Sequence, residues 1–192
     1  MNEQKKYEFT GEIKVVFGIN FKQIRAIINF GCVVAGEIGG WIENEENLSQ
    51  YGNAWVSGNA RVSGNARVSG DAEVYGNARV SGNARVSGDA EVYGNAEVYG
   101  NARVSGNARV SGDAEVKKDD DYMVIGGAGR CNRFTTFFKC RDKTIKVVCG
   151  CFFGTIIEFR AKVKETHKGN KHEKVYLAMA DMVELQLNDD DK

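Results

Sequence analysis

Residues 64–81 read Gly64-Asn65-Ala66-Arg67-Val68-Ser69-Gly70-Asp71-Ala72-Glu73-Val74-Tyr75-Gly76-Asn77-Ala78-Arg79-Val80-Ser81, three hexads of one pattern, Gly-Asn/Asp-Ala-x-Val-Ser/Tyr. Eleven such hexads succeed one another, with valine at 56, 62, 68, 74, 80, 86, 92, 98, 104, 110 and 116 and alanine two residues before each. A fixed period of this kind does not build an ordinary globular core. It specifies stacked units, each burying its apolar positions against the units before and after it. The repeat also offers almost no chemical variety, so it predicts a scaffold and moves the search for function to its ends.

An eighteen-residue coil of three hexads sets up columns along the stack. Tyr75 stands over Tyr93 and Asp71 over Asp89, while Arg67, Arg85 and Arg103 form one column and Glu73 and Glu91 another. Neighbours in a column are spaced by about 4.8 Å. Stacked like charges are unfavourable, and the mixed column Arg61, Arg79, Glu97, Glu115 offsets this. The Gly-Asn and Gly-Asp pairs suit the left-handed backbone of tight corners.

The sequence divides into five parts. Residues 1–51 hold N-terminal β segments and a solenoid cap, and 52–117 the hexapeptide solenoid. Residues 118–121 are an acidic linker, 122–187 a C-terminal α+β domain, and 188–192 an acidic tail. In the first part, Tyr7, Phe9, Ile13, Val15 and Val16 make one strand. The segment with Ile24, Ile27, Ile28 and Phe30 is a second strand or a short helix. In the C-terminal domain, strands are expected at 122–125, 134–140 and 145–153, with the turn Arg141 to Thr144 joining the last two. Thr155 and Glu158 form a capping box that starts a helix ending near His167 and Gly169. A second helix from about His172 to Leu187 shows Val175, Ala178, Met179, Met182 and Leu185 as its apolar stripe.

Lys/Arg and Asp/Glu balance at 26 each, so no global field calls for nucleic acid. The charge is uneven: residues 122–187 hold twelve Lys/Arg against six Asp/Glu. The first twenty residues are charged, and no apolar run reaches the roughly 20 residues that span a bilayer. Five cysteines suit a reducing compartment, so a cytoplasmic protein with no membrane partner is expected. The spacing of Cys131, Cys140, Cys149 and Cys151 lacks the paired thiolates of a zinc site, and strand alternation makes Cys140, Cys149 and Cys151 small buried hydrophobes. No metal and no cofactor are expected.

The candidate ligand site is the loop Gly126-Gly127-Ala128-Gly129-Arg130 together with the start of the next strand. Glycine-rich backbone cradles anionic oxygens and arginine grips them in a fork. Gly127, Gly129, Arg130 and Arg133, with Thr135 and Thr136 as hydrogen-bond donors, make the set, and His167 at the helix end completes it. The lysine and Ser/Thr of a P-loop are missing, so no catalytic residue is assigned.

The hexads resemble those of left-handed parallel β-helices, the hexapeptide-repeat fold, in which an aliphatic residue and a small residue four positions later point inward, as Val56 and Ala60 do here. The glycine departs from that pattern by standing one position later, as in Val62-Ser63-Gly64. The resemblance implies a mainly β protein: a short left-handed solenoid with an N-terminal β cap and a C-terminal α+β domain. It also implies a homo-oligomer, a trimer before a dimer. Many members are acyltransferases with a histidine base, but both histidines here, His167 and His172, lie outside the repeat. Gly39-Gly40-Trp41-Ile42-Glu43 and Glu46-Asn47-Leu48-Ser49, leading into Gly-Asn-Ala-x-Val units, look like a hexapeptide-repeat family of phages and prophages. The C-terminal stretch, with Gly129-Arg130, Thr135-Thr136-Phe137, Cys149 through Phe152, Gly154 and His167, looks like the domain accompanying it. That resemblance implies a phage-linked protein of the host bacterial cytosol that acts against a host system; with the basic C-terminal domain, the favoured expectation is a non-enzymatic oligomeric scaffold binding a host protein or an anionic small molecule such as a nucleotide. The competing expectations are an acyltransferase-like enzyme and a structural filament or virion component.

Overall fold

The computed structural model describes residues 5–128 and 133–188. A parallel β-solenoid forms its middle, and both ends of the solenoid are closed by β structure. Strands β1 (Tyr7–Val16) and β2 (Ile19–Ala26) form an antiparallel hairpin, and β3 (Ile38–Ile42) pairs antiparallel with β2. Eleven two-residue strands come next, each ending on a repeat valine. One wall holds β4 (Trp55–Val56), β7 (Glu73–Val74), β10 (Glu91–Val92) and β13 (Arg109–Val110). A second holds β5 (Arg61–Val62), β8 (Arg79–Val80), β11 (Glu97–Val98) and β14 (Glu115–Val116), and it continues through β3 into the hairpin. The third holds β6 (Arg67–Val68), β9 (Arg85–Val86) and β12 (Arg103–Val104).

The pairing register is eighteen residues throughout, with Val68 against Val86 and Val86 against Val104. Every repeat valine and alanine from Ala54 to Val116 is fully buried, so the periodic apolar positions are the core. Tyr75 stacks on Tyr93 with ring centroids 4.9 Å apart and planes 3° from parallel. At the corners only glycine takes the left-handed conformation, Gly70 with φ +71° for example, at the first central position of a tight turn. A Cβ on Gly70 would stand 2.9 Å from the Gly88 nitrogen of the next coil. The asparagine that follows most of these glycines has another task. Asn65 donates to Asn83 at 3.1 Å and Asn83 to Asn101 at 3.1 Å, a side-chain ladder along the outer edge.

Outside the ladders of the two-residue strands, the inter-coil backbone bonds run one way. Trp55 N–H donates to Ala72 O, Arg67 N–H to Ala84 O, and Glu91 N–H to Ala108 O. The first coil therefore presents mainly carbonyls at its outer end and the last mainly N–H groups, so the two ends call chiefly for opposite partners. The N-terminal part supplies donors. Buried Lys6 gives its Nζ to Ala54 O (2.7 Å) and Gly52 O, and buried Asn47 gives its amide to Ala66 O (2.9 Å) and Gly64 O (3.0 Å). The C-terminal part supplies chiefly acceptors: Asp119 takes Arg103 N–H at 2.7 Å and Thr136 Oγ1 takes Arg109 N–H at 3.0 Å, while the Tyr122 hydroxyl donates to the Arg103 carbonyl at 2.7 Å.

The stretch 118–121 is thus not a loose linker. Asp119–Asp121 is a 3-10 turn in which Asp121 is buried and accepts the N–H groups of Lys117 and Lys118. The run of carboxylates is held in place because the solenoid end presents donors. From it β15 (Tyr122–Ala128), β16 (Arg133–Lys139), β17 (Ile145–Cys149) and β18 (Phe152–Thr155) form an antiparallel meander. Helices α1 (Ile156–Thr166) and α2 (Lys171–Leu187) complete the chain's regular structure, α1 capped by Thr155 with Glu158 in reciprocal hydrogen bonds. The sheet is not a separate body. Phe138, Cys140 and Val148 belong to the core that runs through the solenoid, whereas Phe137, Ile145 and Val147 pack on the helices.

Three further expectations are corrected. Residues 145–153 are two strands, because Gly150 at φ +60° turns the chain within Cys149-Gly150-Cys151-Phe152. The N-terminal alternative of a short helix is replaced by β2 and an extended loop. The buried stripe of α2 is Tyr176, Ala180, Val183 and Leu187; Val175, Met182 and Leu185 face solvent. This helix carries two apolar stripes, and contact with the sheet and α1 selects between them.

The stack makes two outcomes expected. Val86→Asp places an unpaired carboxylate in the middle coil and costs roughly 4 kcal/mol or more, so the variant loses its cooperative transition in thermal circular dichroism. Burial pulls the Lys6 ammonium down to about 8, with Asp71 opposing. The folded group therefore sheds its proton before the unfolded one does, and stability relative to a Lys6→Met variant rises as pH climbs from about 8 toward the unfolded lysine value of about 10.4. Denaturant midpoints of the two proteins across that range measure the difference.

Candidate functional site

Helix α1 lays Phe159, Lys162, Val163 and Thr166 along one face, the i, i+3, i+4, i+7 spacing of neighbours on a helix. That face, the β17–β18 turn and the start of α2 enclose a cavity of about 440 Å³. Its lining includes Phe152, Phe159, Val163 and Tyr176 as an apolar floor, with Arg133, Lys162 and His167 as its cationic and imidazole groups. A few polar groups convergent on an apolar cavity of this size describe a small-molecule site.

The aromatic floor is interlocked. Phe159 meets Tyr176 edge-on at 5.8 Å and Phe152 at 5.5 Å. His167 closes α1 as its C-cap residue, its N–H donating to Val163 O, and its ring lies 5.5 Å from Tyr176 and 5.7 Å from His172. Arg133 comes from the first position of β16, and its guanidinium lies against Gly150, where a Cβ would strike it. Among the described residues Arg133 makes no ion pair, while Lys162 Nζ holds Glu165 at 2.9 Å. Among the described residues Arg133 is therefore the unneutralised cation at this opening.

The candidates named from sequence separate into groups. Arg133 and His167, 34 positions apart in the chain, line the same cavity. Thr135 lies beneath it, fully buried, with its hydroxyl donating to Cys149 Sγ at 3.2 Å. Thr136 is no ligand donor: it points to the opposite sheet face and its oxygen is occupied by Arg109 N–H. Adjacent residues of a strand face opposite ways, which forbids Thr135 and Thr136 from serving one site. Gly127 sits at φ +75° in an irregularity of β15 and does not line the cavity. Gly129 and Arg130, and Cys131 with them, lie outside the described residues.

Lys162, Thr166, Tyr176, Phe152 and Phe159 were not anticipated as site residues. The spacing of 159, 162, 163 and 166 is the signal that carries four lining residues, because a helix face mixing Phe and Val with Lys and Thr is half floor and half rim. The cysteines divide as well. Cys140 is buried, and burial pushes its thiol up to about 11, so it is an inert core residue. Cys149 is half-buried and lines the cavity, and Cys151 is exposed at its edge, contrary to the expectation that both are buried.

The comparisons with known proteins bear on the solenoid. Segments 60–76, 72–88, 78–94, 96–112 and 102–116 match the family described as YdcK beta solenoid repeat. A curated relative, the "Uncharacterized acetyltransferase YdcK" of Escherichia coli (strain K12), is 51% identical over 35 residues, which is 18% of this chain and 11% of that protein. The repeat is therefore that of a β-solenoid protein, and the family match ends at residue 116, before the cavity begins. Among the described residues no helix is long and apolar enough to cross a membrane.

Differential alkylation reads out the cysteine environments. At pH 8, iodoacetamide labels Cys151 at least about tenfold faster than Cys140, since reactivity tracks thiolate fraction and access. Peptide mass spectrometry of briefly treated native protein checks this.

Proposed function

We propose that the protein is a non-enzymatic, oligomeric scaffold whose C-terminal cavity binds a small anionic ligand with a flat apolar part, a nucleotide being the fitting class. The observation that carries this reading is Arg133, a cation without an ion pair among the described residues, on the rim of an aromatic-floored cavity of about 440 Å³. A guanidinium engages phosphate oxygens in a bidentate fork. Phe152, Phe159 and Tyr176 offer the apolar surface a base requires, and Lys162, paired with Glu165, lines the same cavity. The solenoid holds no histidine, so it contributes no imidazole base to acyl transfer. In this reading it spaces and multiplies the binding units. The resemblance to phage repeat proteins supports a role in the host cytosol in which a signalling nucleotide is withdrawn from a host system; a host protein docking at the same cationic opening is the competing occupant.

Calorimetric titration with a panel of linear and cyclic nucleotides tests the reading. Wild type binds at least one of them, and Arg133→Ala weakens that binding about tenfold or more, the loss of a charge-assisted contact. Thr136→Val leaves affinity unchanged, because Thr136 faces the solenoid. A wild-type protein that binds no member of the panel, or an Arg133→Ala protein that binds like wild type, overturns it.

A further inference from the structure

The three walls of the solenoid carry different charge. The wall of β5, β8, β11 and β14 is neutralised internally, Arg79 pairing with Glu97 at 3.0 Å and Arg141 with Glu97 at 2.8 Å, and it continues into the N-terminal hairpin. The wall of β6, β9 and β12 presents Arg67, Arg85 and Arg103 in register, all exposed. Among the described residues none of the three makes an ion pair, and the central Arg85 has an arginine on each side. Around the next corner the wall of β7 and β10 presents Asp71, Glu73, Asp89 and Glu91 in two adjacent columns. Glu91 is held by Arg109 at 2.8 Å and Asp71 by Asn53 at 2.9 Å, whereas Glu73 and Asp89 make no ion pair among the described residues.

We propose that the Arg67–Arg85–Arg103 wall docks onto the Asp71–Glu73–Asp89–Glu91 wall of a second copy of this chain, axis parallel to axis. A column of like charges repeating at about 4.8 Å is matched in step by another column of the same solenoid repeat. Copies related by rotation about an axis parallel to the solenoid stand at equal height. Arg67 then meets Asp71 and Glu73 of the neighbouring coil, and Arg85 meets Asp89 and Glu91. Unlike a two-fold contact, this joins two different surfaces, so each copy offers one of each and the assembly grows in one direction until it closes as a ring. The contact relieves the repulsion that each wall carries alone. It deepens the oligomeric part of the proposed function and leaves the cavity untouched.

Charge reversal in pairs tests it, with sedimentation at tens of micromolar and low salt. Wild type sediments above the 21.1 kDa monomer and dissociates in molar salt. Arg67→Glu/Arg85→Glu presents two acidic walls, and Glu73→Lys/Asp89→Lys two basic ones. Each alone is a monomer with a wild-type circular dichroism spectrum, and an equimolar mixture of the two associates again. A second, milder variant, Arg85→Gln, weakens association about tenfold or more and flattens its salt dependence. A monomeric wild type, a reversed variant that keeps wild-type mass, or a mixture that stays monomeric overturns the proposal. Nucleotide affinity measured on the monomeric variants equals that of wild type if the cavity reading holds, so failure of one proposal is distinguishable from failure of the other.

Discussion

The unequal polarity of the inter-coil hydrogen bonds outside the strand ladders is the constraint on which the molecule is built. Because most N–H groups outside the ladders reach forward to the next coil, the stack has one end rich in carbonyls and one rich in N–H groups, and each must be closed by something other than a repeat. Buried backbone groups left without partners cost about 1–3 kcal/mol each, comparable with a whole coil's share of a marginal stability. The chain answers with opposite chemistry at its two ends: an ammonium and an amide, Lys6 and Asn47, against carbonyls, and a carboxylate and a hydroxyl, Asp119 and Thr136, against N–H groups. Lys6 keeps this post although burial opposes its charge.

Closing the donor end with a sheet also creates the site. Strand β16 alternates so that Thr136 and Phe138 close the solenoid while Arg133, Thr135 and Phe137 face the helices. One face of a single strand completes the scaffold and the other supports a cavity. The helices need the sheet to bury Phe159, Val163, Tyr176 and Val183, and the sheet needs the solenoid to bury Phe138 and Val148. Cap, sheet and cavity therefore form one continuous structure.

The outer surface obeys a different logic from the core. Inside, every coil is the same, valine and alanine without exception. Outside, the variable positions of the hexad, chiefly the one before valine, distribute charge by wall, because positions eighteen apart share a column and positions six apart turn a corner. Arg67 and Glu73 differ by one hexad and so stand on different walls; Arg79 and Glu97 differ by three and so pair at 3.0 Å. The tyrosines link neighbouring columns, Tyr75 donating to Glu91 and Tyr99 to Glu115.

The eighteen-residue coil, its buried valine and alanine and its charge columns were legible in the sequence, because a strict period admits one packing solution and each unit meets only its neighbours. The capping box at Thr155 and Glu158 was legible for a similar reason: its partners are three residues apart. What the ends do was not. That Asp119 to Asp121 are acceptors rather than a solvated linker is set only by the donors that the last coil turns toward them. That Tyr176 and Val183, rather than Val175 and Met182, form the buried stripe of α2 is decided by the sheet it meets. Arg133 and His167 were named from sequence, but their meeting in one cavity, and the exclusion of Thr136 from it, depend on β16 lying between the solenoid and the helices. Local periodicity determines the repeat; contacts between residues distant in the chain decide which side chains are left over to bind a ligand.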